Sequence, residues 1–315
     1  MKKLEMKAIV LEQYGGPELL KYLNIPKPVS GPGQVLVRVH ASSVNPGNVK
    51  RGAGRLRGIV PELEFPWVPG GDFSGVVEEV GGNVTSFRVG DAVFGSGGPG
   101  GAYAEYLTAD ANIIAPKPAV FTHREAASLG LVLQTAALSL DEAGLKAAQT
   151  VLILGAGGAV GNVTLQLARL RGARVLAVCR SRSVERLHSL GADEVINADT
   201  TAFETVAKNV DIVVDGLGGE FEQKAFSVLK PNGILVALTR PPSQEQAGRH
   251  RVRAFLVRTQ PQPGYLAKLG KEIGDGKIKP FLGPTYPLSE TAQAWKDYES
   301  GLIEGKIVIS VVNEQ

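Results

Sequence analysis

The sequence predicts an α/β protein of two domains, one β-rich and one built on a doubly wound parallel sheet, and three observations carry that expectation. Residues 6 to 110 hold short runs rich in Val and Ile, cut by Gly and Pro turns. From residue 150 onward, apolar strand-like runs alternate with stretches of helical periodicity. From about residue 270 the pattern returns to strand, ending in Gly305-Lys306-Ile307-Val308-Ile309-Ser310, so the tail is expected to rejoin the first domain.

In the first region the strand candidates are Lys7-Ala8-Ile9-Val10-Leu11, Gln34-Val35-Leu36-Val37-Arg38-Val39 and Gly75-Val76-Val77-Glu78-Glu79-Val80. Turns at Gly31-Pro32-Gly33 and Gly81-Gly82-Asn83 bound them, and this density of strands and turns suggests a compact, barrel-like domain. At Thr122 the texture changes. Glu125 stands three positions on, as a capping box requires, so a helix is expected over Arg124-Glu125-Ala126-Ala127, and Ala-rich segments follow through Ala148.

Val151-Leu152-Ile153-Leu154 reads as a buried strand, and Val160, Val163, Leu167 and Leu170 give the following helix one apolar stripe. Val175-Leu176-Ala177-Val178, Val195-Ile196, Ile212-Val213-Val214 and Ile234-Leu235-Val236-Ala237 follow as parallel strands, the longer ones apolar without alternation because both faces are covered. The connection from Pro241 to Arg251 reads as a polar, flexible loop.

Composition narrows the functional classes. A chain of 315 residues with net charge +3 is long enough for two cores, at ~100–200 residues per domain. No apolar run approaches the ~20 residues that span a bilayer, and Met1-Lys2-Lys3-Leu4-Glu5 leads into no signal-like segment. The arginine clusters (Arg51, Arg55, Arg57; Arg180, Arg182; Arg249, Arg251, Arg253) have no interleaved aromatics, so no nucleic-acid partner is expected. Cys179 is the only cysteine and the four histidines lack ligand-like spacing, so no metal is expected and the cytoplasm is the default address.

The strongest chemical signal is Val151-Leu152-Ile153-Leu154-Gly155-Ala156-Gly157-Gly158-Ala159-Val160-Gly161, a strand entering a glycine-rich turn that opens into a helix. Gly155, Gly157, Gly158 and Gly161 permit close backbone approach to a pyrophosphate, and the amides at the helix start, from Ala159 and Val160 on, face its charge. The spacing is G-x-x-G-x-x-G rather than G-x-G-x-x-G. The next strand ends at Cys179-Arg180-Ser181-Arg182-Ser183, where an NAD site usually places a carboxylate for the ribose 2′-hydroxyl. Arg180, Ser181 and Arg182 suit a 2′-phosphate instead, which points to NADPH; the alternative is a solvated helix start.

Beside the glycine loop stand Asn45-Pro46, Val68-Pro69-Gly70-Gly71-Asp72-Phe73-Ser74-Gly75, Gly90-Asp91-Ala92-Val93-Phe94-Gly95 and Gly101-Ala102-Tyr103-Ala104-Glu105-Tyr106. Leu190-Gly191-Ala192-Asp193, Val214-Asp215-Gly216-Leu217-Gly218-Gly219, Leu229-Lys230-Pro231-Asn232-Gly233 and Gly276-Lys277-Ile278-Lys279-Pro280 extend the set to nearly full length. In these motifs and their order the chain resembles the quinone oxidoreductase (zeta-crystallin-like) branch of the zinc-independent medium-chain dehydrogenase/reductase family. The resemblance implies a GroES-like catalytic domain from residues 1–122 and 270–315, a Rossmann NADPH-binding domain from 123–269, a cleft for the nicotinamide and a homodimer. Zinc-dependent relatives carry His and Glu after the glycine where this chain reads Gly70-Gly71-Asp72, which makes alcohol oxidation improbable.

The resemblance also implies residue roles. Asn45 matches an asparagine lining the substrate and nicotinamide cleft, whose amide can donate to a carbonyl; otherwise Asn45-Pro46 is a turn. Thr135, Leu217, Leu238, Thr239, Phe255 and Val257, with Leu256 between, fall where the family meets its cofactor, and packing in the core is the alternative for most of them. Lys306 matches a lysine of the family's Gly-Lys-Ile-Val run and is assigned to the cofactor, against a surface position. Asn48 stands where relatives often carry Asp, and Arg51 or Arg55 could bond a carbonyl or belong to a solvated basic loop.

The expected chemistry is hydride transfer from NADPH to a quinone or an α,β-unsaturated carbonyl, with protonation by water. Two rivals stay open: a zinc-free alcohol or polyol dehydrogenase, and an NADPH-binding regulatory or structural protein with little catalysis.

Overall fold

The computed structural model describes residues 4–96 and 100–312. Met1, Lys2 and Lys3, part of the N-terminal stretch in which no signal is read, lie outside them. The chain divides into two units, Met1–Leu131 with Gln260–Gly276 and Pro280–Gln315, and Val132–Thr259 with Lys277–Lys279. The sequence reading set the bounds at 122/123 and 269/270. The first of these is the start of the helix His123–Glu142, and the bound between units falls inside that helix. A sequence shows where a helix is capped but not where its packing partners change. The cap itself is the expected box: Thr122 N donates to Glu125 Oε2 at 2.8 Å and Glu125 N to Thr122 Oγ1 at 3.2 Å.

In the first unit β1 (Glu5–Val10) and β2 (Lys21–Pro26) form an antiparallel ribbon. β3 (Gln34–Ser43), β4 (Asp72–Val80), β5 (Ala92–Ser96), β6 (Tyr106–Asp110) and β7 (Ile114–Pro116) belong to one larger antiparallel array. Val35, Val37, Val39, Phe73, Val77, Val93 and Leu107 are buried together on its face. Full burial of such side chains contributes about 1.5–3 kcal/mol each.

The second unit is a six-stranded parallel sheet of β8 (Thr150–Leu154), β9 (Arg174–Cys179), β10 (Glu194–Asn197), β11 (Val210–Asp215), β12 (Leu229–Ala237) and β13 (Arg253–Leu256). Its spatial order is β10-β9-β8-β11-β12-β13, which in strand count is 3-2-1-4-5-6. The order reverses between β8 and β11, the point at which ligands bind in such sheets. Two sequence expectations are corrected here. The segment after β12 is not a flexible loop but carries a helix, Gln244–His250, whose Ser243 N-cap accepts from Gln246 N. The helix Ala159–Leu170 also buries more than one stripe: residues 161–168 are all buried, while Leu170 is exposed. Its polar side is covered by chain from far ahead, because Lys279 N donates to Gln166 Oε1 at 2.8 Å and Gln166 Nε2 donates to Lys279 O at 3.0 Å.

The tail returns to the first unit as β14 (Leu282–Pro287) and β15 (Lys306–Ser310). β6 covers one edge of β3 from Gln34 to Arg38 only, and β15 pairs with the remainder at Ala41, Ser42 and Ser43. Without the tail, that edge would keep unpaired peptide groups.

His123 opens the 123–142 helix with its ring tilted against that of His40, centroids 4.3 Å apart, and its Nδ1 2.8 Å from Ser74 Oγ. Burial, then the charges of His40 and Lys117, push its pKa down to about 4. The native state therefore holds this ring neutral where the unfolded chain, with a pKa near ~6.5, takes up a proton. Stability is fully present above pH ~6.5 and declines as pH falls toward ~4. Urea midpoints between pH 6.5 and 5 should fall for the wild type and fall less steeply for His123→Gln; equal slopes would remove the ring from this dependence.

Candidate active site

The helix Pro46–Gly52 begins at Asn45, directly beyond β3. Asn is among the best N-caps because its side-chain oxygen accepts from the first turn. Here Asn45 has extended N-cap dihedrals (φ −108°, ψ 138°) but makes no side-chain capping bond. Pro46 has no N–H to satisfy, and Asn48 N bonds the backbone oxygen of Asn45 at 3.0 Å. The side chain is thus released from its local task, and Lys306 Nζ at the start of β15 donates to Asn45 Oδ1.

That contact settles which way the amide faces. An ammonium has only protons to give, so the oxygen of Asn45 turns to Lys306 and its NH2 turns elsewhere. Lys306 is itself buried, with Asp72 Oδ2 3.7 Å away. Burial lowers the Lys306 pKa, and the negative charge of Asp72 opposes that shift. Asp72 is fully buried at the start of β4, where Leu131 N donates to its Oδ1 at 3.0 Å and Ser43 Oγ lies 3.4 Å from its Oδ2. Asn45, Lys306, Asp72 and Ser43 form one buried polar cluster, all within the first unit.

The sequence reading assigned Lys306 to the cofactor or to the surface. The surface alternative is excluded by its burial, and its side chain is engaged by Asn45 and Asp72. Asp72 and Ser43 were not candidates. Only the Gly70-Gly71-Asp72 motif hinted at a polar site, since a carboxylate opening an apolar strand is unusual. Asn48 is buried on the helix after Asn45. Arg51 donates through Nη2 to Pro61 O at 3.0 Å, and Arg55 pairs with Glu299 at 2.6 Å, so each guanidinium already holds a protein acceptor.

The remaining candidates lie in the second unit. β8 runs into Gly155, whose φ of +80° suits glycine. The first bond of the next helix is Asn162 N to Gly158 O, so the amides of Ala159, Val160 and Gly161 precede the intrahelical ladder. A Cβ on Gly161 would stand 2.5 Å from Gly155 O and 2.7 Å from Ala156 Cα, so only glycine lets the helix start so close to the turn. Leu217 stands beside this turn: a Cβ on Gly155 would be 3.0 Å from Leu217 Cδ2. Asp215, fully buried at the end of β11, accepts from Leu217 N and Gly218 N through Oδ1, while its Oδ2 has no hydrogen-bond partner among the described residues. The adjacent strand end carries Leu238, bonded to Asp215 O, and exposed Thr239. Val257 is buried and its N–H bonds Ala237 O, and Phe255 stacks under the Arg253 guanidinium at 5.2 Å. Thr135 meets Thr259 hydroxyl to hydroxyl at 2.8 Å. The glycine cradle, the helix amides and the orphaned Asp215 oxygen all lie at the carboxyl ends of parallel strands beside the order reversal, and they fit a dinucleotide.

A family model described as an alcohol dehydrogenase GroES-like domain matches residues 31–119, and one described as a zinc-binding dehydrogenase matches residues 190–309. The 2-methylene-furan-3-one reductase of Solanum lycopersicum is 34% identical over 322 residues, spanning 97% of this chain and 79% of that protein. The chain belongs to the medium-chain dehydrogenase/reductase family. The chloroplastic NADPH-dependent alkenal/one oxidoreductase of Arabidopsis thaliana is also 34% identical, over 97% of this chain and 79% of that protein. The quinone oxidoreductase of Coxiella burnetii superposes with a TM-score of 0.88 at 32% identity, over 98% of this chain and 100% of that one. Within the family the chain falls in the quinone oxidoreductase branch and is an oxidoreductase with a nicotinamide cofactor.

One family description names zinc. Among the described residues no group of three or more His, Cys, Asp or Glu could hold a metal, and Asp72 is committed to Leu131 N and Lys306. Nor is any described helix long and apolar enough to cross a membrane.

Removing Asp72 leaves the Lys306 charge buried without its counter-ion. Asp72→Ala should lower unfolding stability by about 3–5 kcal/mol, and adding Lys306→Met should recover part of that loss in a double-mutant cycle by urea denaturation. Additive losses would show that the two groups do not act as a pair.

Proposed function

We propose that this protein is an NADPH-dependent reductase of quinones or α,β-unsaturated carbonyls that works without zinc. The observation that carries the reading is the Asn45 amide, withdrawn from helix capping and anchored through its oxygen by buried Lys306, so that its N–H donors are left for a substrate oxygen. The names of the tomato, Arabidopsis and Coxiella relatives support the substrate classes.

The residues that would hold the cofactor are 155–161 at the pyrophosphate, Arg180, Ser181 and Arg182 at the adenosine ribose, and Thr135, Leu217, Leu238, Thr239, Phe255 and Val257 along the nicotinamide side. When bound, the reduced cofactor supplies a hydride to the electrophilic carbon of the acceptor. The chain's own contribution is to stabilise the negative charge that then builds on the acceptor oxygen. Asn45 donates an N–H to that oxygen, and the ammonium of Lys306 behind the amide strengthens it as a donor. Burial lowers the Lys306 pKa, and Asp72 beside it opposes that shift and favours the ammonium form. The α-carbon takes its proton from water. Asn48 borders this site on the same helix, whereas Arg51 serves the loop at Pro61. The single cysteine of the chain, buried in β9, suits a reducing cytoplasm, and the family resemblance supports a homodimer.

The direct test follows loss of reduced-nicotinamide absorbance with NADPH and NADH in turn, against one quinone, one enone and one alcohol with oxidised cofactor. Oxidation of NADPH in preference to NADH by the quinone or the enone is expected. Alcohol-dependent reduction of the cofactor would favour a dehydrogenase, and cofactor binding with no turnover would favour a regulatory protein.

A further inference from the structure

The sequence shows no carboxylate at the end of β9, and that absence underlies the preference for NADPH. The structure brings one from the neighbouring strand. β10 runs parallel to β9 with Asn197 opposite Cys179, and Ala198 N bonds Cys179 O at 2.8 Å. The residues leaving the two strands therefore lie side by side. Asp199 Oδ2 accepts from both Ser181 N and Ser181 Oγ, each at 2.7 Å. Asn197 fixes the arrangement: its Oδ1 accepts from Asp199 N at 3.1 Å and its Nδ2 donates to Ser181 Oγ at 3.1 Å.

Two donors converging on one oxygen, beside Arg180 and Arg182, make a seat for an anion, and the chain fills it with its own carboxylate. Ser181's backbone and side-chain bonds hold the Asp199 carboxyl below the usual range, with the two arginines adding to the effect. The group is therefore an anion at neutral pH.

We propose that Asp199 is a specificity-determining residue for the adenosine ribose, an internal carboxylate that competes with a 2′-phosphate for the Ser181 donors and the arginine field. The inference rests on the reading above that places this ribose beside Arg180, Ser181 and Arg182. A ribose 2′-hydroxyl can donate to Asp199 and leave the seat as it is. A 2′-phosphate carries the same sign of charge, so it must displace Asp199 from Ser181 before it gains either donor. Asp199 thus narrows the advantage that two arginines would otherwise give NADPH over NADH.

The test is calorimetric titration of the full chain with 2′,5′-ADP and with 5′-AMP, for the wild type, Asp199→Asn and Asp199→Ala, with thermal unfolding to show that each variant is folded. Asp199→Asn removes the charge and keeps the shape; Asp199→Ala also frees the Ser181 donors. Both should tighten 2′,5′-ADP by about five- to tenfold, the scale of one like-charge contact at an exposed site, and neither should tighten 5′-AMP. Equal factors for the two nucleotides, or no change in either, would overturn the proposal and leave Asp199 as a loop anchor. A wild type that favours 5′-AMP, with Asp199→Asn shifting the ratio toward 2′,5′-ADP, would uphold the proposal and sink the NADPH reading instead.

Discussion

The first unit depends on a lysine buried away from solvent. Lys306 sits buried at the start of the strand that closes the edge of β3, and its charge is tolerable only because Asp72 stands 3.7 Å away and Asn45 presents an oxygen. Each partner comes from a different part of the chain: the end of β3, the start of β4 and the start of β15. The same contacts that dock the tail therefore orient the amide. Burying ions is a poor way to gain stability, because desolvation offsets most of the attraction. Their value here is geometric. A lysine that can only donate turns a side chain able to do either into a fixed donor.

The second unit solves a different problem with fewer charges. A parallel sheet points all its strand ends the same way, so the turns after β8, β11 and β12 gather at one edge. The glycines there remove side chains from the path of the helix start, and the sheet order opens a crevice between β8 and β11. One strand further out, Arg180 and Arg182 leave β9 while Asp199 leaves β10, so charges of opposite sign lie side by side.

What could be read from the sequence was whatever depends on near neighbours. The glycine motif from Gly155 to Gly161 spans seven residues, and the Thr122 to Glu125 cap spans four. The same kind of signal was present at Ser243, three residues before Gln246, but the surrounding polar residues hid it and a helix was read as a loop. Long-range contacts were not legible. Lys306 and Asn45 are 261 positions apart, and nothing in a Gly-Lys-Ile-Val run says which acceptor the lysine will find. The hydrophobic stripe of the 159–170 helix failed for the same reason, because Gln166 is buried by a backbone segment 113 residues away. Asp199 looks like an ordinary loop residue until the parallel register of β9 and β10 sets it against Ser181. Asn45 itself was singled out through family likeness, while its missing cap bond is visible only in the structure.

The central claim is that Asn45 acts through its N–H, with its oxygen given to Lys306. Asn45→Asp keeps an oxygen for Lys306 and removes the donor, whereas Asn45→Ala removes both. The most direct measurement is single-turnover reduction of an enone by the two variants, with cofactor affinity measured beside it. A loss of about 10²–10³-fold in the rate for both variants, with cofactor affinity nearly unchanged, is the predicted result. An Asn45→Asp enzyme that reduces the enone at the wild-type rate would contradict the account.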